Sequence, residues 1–163
     1  MKKVGILGSE GVAKNLAIGF ADQGYQVMLG TNHPKKLEDW VKLNSLIKIG
    51  NFNESAEFAD LIVLAIKGSA SIDVLENIKS EFLDGKTIID TTNPIDSKEP
   101  KNNVLAYFTV QNESLHERLQ NRFPKSNFVK AFNSIGASLC INRTLRKNRQ
   151  CLFVAIAIQL KNW

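Results

Sequence analysis

Short apolar runs alternate with helical patterns along most of this 163-residue chain. The predicted strands cover residues 3–7, 25–29, 47–49, 61–66, 87–89 and 128–131, and they are rich in Val, Ile and Leu. Runs that are apolar on both faces are typical of buried parallel strands. Each connection is long enough for a right-handed crossover. The sequence therefore predicts an α/β fold of Rossmann type, a doubly wound parallel sheet with helices on both faces.

Local signals mark several of the predicted helices. Pro34 suits the first turn of the second helix, and Ser114 with Glu117 has the spacing of a capping box. Apolar residues between positions 72 and 82 predict one helix, which we expect Gly85 to terminate.

Ligands of such sheets bind at the carboxyl ends of the strands, where the strand order reverses. The first turn, from Gly8 to Ala13, follows the first strand and opens an amphipathic helix. A dinucleotide fold needs small residues here, because the chain turns tightly and the pyrophosphate approaches the helix amides. Gly8 and Ala13 satisfy this pattern. Glu10 stands where a second glycine is expected, and Gly11 offers an alternative approach point.

The end of the second strand indicates which dinucleotide is bound. NAD-binding domains place an acid there, but this chain has none between Asp22 and Glu38. Thr31 and Asn32 can donate hydrogen bonds to a 2′-phosphate, and basic residues follow at His33, Lys35 and Lys36. The sequence thus favours NADP(H) over NAD(H).

Five segments together resemble the NADP-dependent oxidoreductases that reduce or oxidise coenzyme F420. The fold of that family also occurs in the NADPH-binding part of membrane metalloreductases. The matching segments cover about 140 residues in order: 5–9, 30–31, 63–68, 89–94 and 129–136.

This resemblance implies a role for each segment. Ser9, Glu10, Gly11 and Val12 would contact the pyrophosphate, and Thr31, Asn32 and Lys36 the 2′-phosphate. The remaining implied contacts are Ile66, Lys67 and Gly68 on the adenosine side, and Asn93, Pro94, Ala131, Phe132 and Asn133 near the nicotinamide. Asn32 departs from the family, which commonly has an arginine there, so a forked phosphate contact is lost.

The resemblance fades after residue 142, and the charge balance changes there too. The formal net charge of +5 comes entirely from basic residues beyond that point, which we interpret as a solvated tail rather than a nucleic-acid site. We therefore expect an NADP(H)-binding domain over 1–142 and an atypical basic and apolar tail over 143–163, shorter than the family's C-terminal region. The apolar residues 151–158 are too few to span a membrane, and they predict an added edge strand that favours self-association, for example as a homodimer.

No catalytic or metal-binding residue is predicted. Lys130 and Asn133 are close in sequence, but hydride transfer to a flavin-like ring depends mainly on positioning, so a structural role is favoured for both. His33 and His116 have no partners at metal or triad spacing. The two cysteines form no metal or disulfide pattern, which indicates a reducing, cytoplasmic location.

The predicted function is hydride transfer between NADPH and a small-molecule acceptor, namely a deazaflavin, flavin or similar compound. The alternative is a dinucleotide-binding module without catalysis, left after loss of the acceptor region. Neither nucleic acid nor membrane is an expected partner.

Overall fold

The computed structural model describes residues 2–96, 98, 102, 104–140 and 154–155. Its sheet contains six parallel strands in the order β3-β2-β1-β4-β5-β6. They are β1 (Lys3–Leu7), β2 (Gln26–Gly30), β3 (Ile47–Gly50), β4 (Leu61–Leu64), β5 (Thr87–Asp90) and β6 (Asn127–Lys130). The Rossmann-type doubly wound fold is thereby confirmed, with every predicted strand within three residues of its observed ends.

Helices cover both faces of the sheet. They are α1 (Gly11–Asp22), α2 (Glu38–Lys42), α3 (Phe52–Phe58), α4 (Ser71–Glu76) and α5 (Leu115–Arg122). On one face, α1 and the turn before α2 bury Leu16, Ala17 and Leu37 against the strands. On the other face, α3, α4 and α5 bury Ala56, Leu75 and Leu119. Both cores are almost wholly aliphatic, so hydrophobic burial holds the layers together.

The capping box predicted at the start of α5 is present. The Ser114 side chain accepts a hydrogen bond from the Glu117 amide, and the Glu117 carboxylate accepts one from the Ser114 amide at 2.9 Å. This reciprocal pair fixes where the helix begins, because it satisfies two amides that have no partner within the helix.

The prediction of a single helix over residues 72–82 is wrong. The helix α4 ends at Glu76, and a separate 3-10 turn covers Ser80–Phe82. Asn77 ends the helix by turning its side-chain amide back to the Asp73 carbonyl, at 2.7 Å. Gly85 has a positive φ of 76° as a cap would, but it follows the 3-10 turn and donates its amide to Lys125.

A short strand β7 (Val154–Ala155) pairs antiparallel with β6 at the edge of the sheet. Apart from those two positions, the predicted tail over 143–163 and the apolar segment 151–158 lie outside the described residues. None of the helices within the described residues combines the length and apolar character needed to cross a bilayer.

Candidate dinucleotide and acceptor site

The strand register brings the predicted site residues to one edge of the sheet. Leu7 at the end of β1 lies beside Gly30 of β2 and Leu64 of β4. Leu64 in turn lies beside Asp90 of β5, which is level with Lys130 of β6. Because parallel strands end together, the turns that follow all five strands lie at this edge. The chain leaves β1 toward β2 on one side and returns to β4 on the other, which creates the crevice of a doubly wound sheet.

The first turn allows only a glycine at position 8. Gly8 has a φ of 141°, and a Cβ atom there would lie 2.2 Å from the Ala65 carbonyl oxygen. Ala13, which follows in α1, is fully buried against the strands. At Gly11 the position of a Cβ is open, because its nearest neighbour would be the Ala137 Cβ at 3.8 Å. The turn is thus tight on its protein side and open where a ligand would approach.

The start of α1 has no side-chain cap. Glu10 is the capping residue, yet its carboxylate makes no capping hydrogen bond, and the first turn contains no acid. Glu10 and Gly11 are exposed, while Ser9 and Val12 are half-buried. The first amides of this 12-residue helix therefore lack a side-chain acceptor, which is the arrangement that binds phosphate in dinucleotide folds.

The end of β2 presents polar and basic groups to solvent. Thr31 is buried, and its hydroxyl accepts a hydrogen bond from the His33 amide at 3.1 Å. Asn32, His33 and Lys36 are exposed. The Thr31 hydroxyl still has its own proton to donate, whereas Asn32 and the basic groups are directly accessible.

The turn after β4 packs on the turn after β5. A Cβ atom at Gly68 would lie 2.1 Å from the Asn93 carbonyl oxygen, so the two backbones touch. Ile66 is half-buried and Lys67 is exposed on the solvent side of this contact. The segment 66–68 is therefore held at the edge beside Asn93.

The turns after β5 and β6 are joined through two asparagines. The side-chain amide of Asn93 donates to the backbone carbonyl oxygen of Asn133 at 2.8 Å. The side-chain amide of Asn133 donates to the side-chain oxygen of Asn93 at 3.3 Å. Between them, Ala131 is buried and Phe132 adopts a positive φ of 63°. Pro94 accepts a hydrogen bond from the Phe108 amide at 2.9 Å. All of the site residues proposed for the nicotinamide side thus lie within one hydrogen-bonded region.

A buried charged cluster lies beneath these turns, and the spacing of its residues in the sequence does not reveal it. Asp90 is fully buried, and one of its oxygens, Oδ2, lies 2.9 Å from the Lys130 ammonium and 3.2 Å from His116 Nδ1. Its other oxygen accepts the Thr92 amide at 2.9 Å and the Thr92 hydroxyl at 2.7 Å. Lys130 also donates to the Thr92 carbonyl oxygen. The carboxylate therefore has four donors, as a buried charge requires.

Burial by itself raises the pKa of Asp90, but the hydrogen bonds from His116 and Thr92 and the charge of Lys130 outweigh it. The net effect lowers the pKa of Asp90 below its ordinary value, so the group is a carboxylate at neutral pH. Its neighbour His116 is buried as well, and it does have a partner, contrary to the absence of one suggested by sequence spacing. One signal was available, since Asp90 and Lys130 are each the last residue of their strands and have opposite charges.

Comparison with known families identifies the protein family of this chain. Residues 3–94 match the model of the family described as NADP oxidoreductase, coenzyme F420-dependent. That match covers more than half of the chain, including the first turn, the end of β2 and the turns after β4 and β5. The chain belongs to this family.

Individual relatives agree with the family assignment. The F420-dependent NADP reductase of Methanothermobacter marburgensis is 28% identical over 165 residues, which cover 94% of this chain and 72% of the reductase. The crystal structure of a candidate F420-dependent NADP reductase from Arthrobacter sp. FB24 superposes with a TM-score of 0.78 at 32% identity, over 85% of this chain and 65% of that protein.

A metalloreductase also contains a similar region. Metalloreductase STEAP3 of Rattus norvegicus is 28% identical over 162 residues, which are 98% of this chain. The chain spans only 30% of the length of STEAP3. The predicted membership in the F420-dependent NADP oxidoreductases is thus confirmed, and the relatives share this domain in proteins of different total length.

Proposed function

We propose that this chain binds NADP(H) across the carboxyl edge of its sheet and transfers hydride between NADPH and a deazaflavin, flavin or similar acceptor. The observation that carries the proposal is the combination of an uncapped helix start with a β2 end that has no acid. An uncapped helix start is suited to binding a pyrophosphate. The absence of an acid after β2 favours a 2′-phosphate over a free ribose hydroxyl. Membership in the NADP oxidoreductase family supports the same assignment.

The residues fit the dinucleotide at three places along the edge. Gly8 and Gly11 leave the helix start open to the pyrophosphate, and the exposed Asn32 and Lys36 lie where the 2′-phosphate would be held. The pyrophosphate and the 2′-phosphate are both anions. The described end of β2 and its following turn contain only neutral and basic side chains, which do not repel them. The proposed phosphate side is completed by Ser9, Glu10, Val12, Thr31 and His33. The adenosine side is formed by Ile66, Lys67 and Gly68.

The nicotinamide side would be formed by Asn93, Pro94 and the segment 131–133. The paired Asn93 and Asn133 hold two turns in fixed positions, which is what a hydride-transfer site requires of its protein. When bound, NADPH itself supplies the hydride. The protein's part is to orient the nicotinamide ring and leave one ring face open to an acceptor.

The direct test mixes the purified protein with NADPH and either coenzyme F420 or a free flavin, and follows the absorbance of NADPH. We expect NADPH oxidation that requires both the protein and the acceptor. Saturable NADPH binding with no oxidation by any of these acceptors would favour the alternative of a non-catalytic dinucleotide-binding module. Failure to bind NADPH would contradict both.

A further inference from the structure

The turn after β5 is held by charged side chains as well as by strand pairing. Strand pairing with β4 continues as far as Thr91, whose amide donates to the Leu64 carbonyl oxygen at 3.1 Å. The next residue is Thr92, and its polar groups bind the side chains of Asp90 and Lys130. At Thr92, side-chain hydrogen bonds therefore replace strand pairing.

The amide, the hydroxyl and the carbonyl of Thr92 are all bound by one ion pair. The amide and the hydroxyl donate to Asp90 Oδ1, at 2.9 and 2.7 Å. The carbonyl oxygen accepts a hydrogen bond from the Lys130 ammonium, which also lies 2.9 Å from Asp90 Oδ2. We call this arrangement of Asp90, Lys130 and Thr92 the Thr92 clamp. Hydrogen bonds to charged groups are shorter and stronger than neutral ones, so the clamp leaves Thr92 little freedom to move.

Stability alone does not require a charged pair at this position. Removing two charges from water is costly, and a pair of apolar side chains of similar size is often as stable. Asp90 is fully buried and the Lys130 side chain is only 16% exposed, so both charges bear this cost. Apolar side chains, however, offer no acceptor to a backbone amide and no donor to a carbonyl. The ion pair is therefore suited to fixing the position of the turn.

The clamp adjoins residues that face open space. Thr92 itself is only 2% exposed, so it acts on a ligand through its neighbours. The next residue, Asn93, lines a pocket of about 460 Å³ together with Pro94. Consecutive Cα atoms are a fixed distance apart, about 3.8 Å, so a displacement of Thr92 moves Asn93 within this pocket.

We propose that Thr92 is a positioning residue for the nicotinamide ring, and that Asp90 and Lys130 hold it in place for that purpose. The inference rests on the proposed function, in which Asn93 and Pro94 lie near the nicotinamide. Because the clamp sets the position of these two residues, the loss of one of its hydrogen bonds weakens the contacts of the ring. The contacts of the phosphates and the adenosine are made by other turns and stay unchanged.

The test separates the nicotinamide from the rest of the dinucleotide. NADPH and 2′-phospho-ADP-ribose share the adenosine, the 2′-phosphate and the pyrophosphate, but the second compound lacks the ring. The ratio of their affinities for the full-length protein, measured by calorimetry, gives the contribution of the ring to binding. We expect wild-type protein to bind NADPH at least about tenfold more tightly. The fluorescence of bound NADPH arises from the reduced ring and reports its surroundings independently.

Three variants weaken or preserve the clamp. Thr92→Val removes the hydroxyl and keeps the shape of the side chain. It should lower the affinity ratio about fivefold and change the fluorescence of bound NADPH, with the affinity for 2′-phospho-ADP-ribose within about twofold of wild type. Thr92→Ser retains the hydroxyl and should restore the wild-type ratio. Asp90→Asn alters a side chain too deeply buried to contact a ligand, and it should also lower the ratio.

Ser126→Ala is the matched control, because it removes a buried hydroxyl that donates to the Leu83 carbonyl oxygen at 3.0 Å. Ser126 directly precedes β6, so it lies at the amino edge of the sheet, opposite the proposed site. The midpoint of urea denaturation should fall by a similar amount in Ser126→Ala and Thr92→Val. The affinity ratio should change only in Thr92→Val, which a merely structural role of Thr92 does not predict.

Three results would overturn the inference while leaving the proposed function intact. They are equal affinities of the wild-type protein for the two compounds, an unchanged ratio in Thr92→Val, and an equal fall of the ratio in Ser126→Ala. If Thr92→Val is unfolded, Thr92→Ala takes its place, because it removes the hydroxyl without adding a buried methyl group. If the wild-type protein binds neither compound, the proposed function itself is wrong.

Discussion

The two ends of the proposed site are built in opposite ways. At the phosphate end, the start of α1 has no side-chain cap, and the side chains of Asn32 and Lys36 are exposed to solvent. At the acceptor end, Asp90 is buried under four donors, and Asn93 and Asn133 bind each other. Under the proposed function, a bound anionic ligand supplies the negative charge at the phosphate end, whereas the Asp90 carboxylate supplies it at the acceptor end. Substitutions at the acceptor end should therefore affect stability, and those at the phosphate end should affect affinity.

The largest effect should come from the first turn, where stability and binding coincide. Gly8→Ala places a Cβ atom 2.2 Å from the Ala65 carbonyl oxygen in a residue with a φ of 141°. We expect a loss of about 3 kcal/mol or more in the free energy of unfolding, measured by urea denaturation. Gly24→Ala is the control, because its φ is also positive but nothing lies within 4 Å. It should cost only about 1 kcal/mol. Equal losses at both positions would show that the contact with Ala65 is unimportant.

The next effect tests the acceptor end. Asp90→Asn leaves Lys130 without its buried partner, so we expect a loss of about 3 kcal/mol at neutral pH. Because the pKa of Asp90 is lowered in the folded state, its stabilising contribution is present above the pKa of the unfolded chain and disappears as the pH falls through the folded-state value. The difference between wild type and variant should therefore shrink in acid.

A surface pair provides the control for that experiment. Asp84→Asn removes the partner of the exposed Lys125, and should cost less than about 1 kcal/mol. If the Asp90 and Asp84 variants lose similar amounts, or if the loss at Asp90 does not depend on pH, the acceptor end is not held by a buried charge.

A smaller effect is expected at the end of β2. Asn32→Arg places a forked cation beside the proposed 2′-phosphate, and should strengthen NADPH binding by about 1–3 kcal/mol. The affinity for NADH, which lacks that phosphate, should change little, and so should the unfolding free energy, since Asn32 is exposed. A gain for both cofactors alike, measured by calorimetry, would move the phosphate contact away from Asn32.

The smallest effect belongs to Glu10. Its exposed carboxylate acts on a bound pyrophosphate through solvent, so Glu10→Gly should tighten NADPH and NADH equally, by less than about fivefold. A change for only one cofactor would contradict a pyrophosphate contact at this turn.

The elements of the sheet could be predicted because each carries its own local signal. The strand β4 is apolar throughout and buried throughout, and the capping box of α5 depends on residues three positions apart. The break after Glu76 was missed because Ile78 and Phe82 continue the helical spacing while belonging to a different segment. Their apolar side chains pack on the same core as α4, so periodicity does not reveal the break.

The sequence indicates the two ends of the candidate site to different extents. The phosphate end follows from local features, a glycine after β1 and the missing acid after β2. The acceptor end joins Asp90 to His116 and Lys130, which are 26 and 40 residues away. Sequence spacing does not show such contacts, because the strand pairing of β5 with β6 and the docking of α5 create them.

The most direct measurement for the account is a calorimetric titration of the wild-type protein with NADPH and with NADH. We predict saturable binding of NADPH at a single site, at least several-fold tighter than NADH, because the end of β2 has no acid and presents Asn32 and Lys36 to the 2′-phosphate. Equal affinities, or tighter binding of NADH, would contradict the assignment of the carboxyl edge of the sheet as an NADP(H) site.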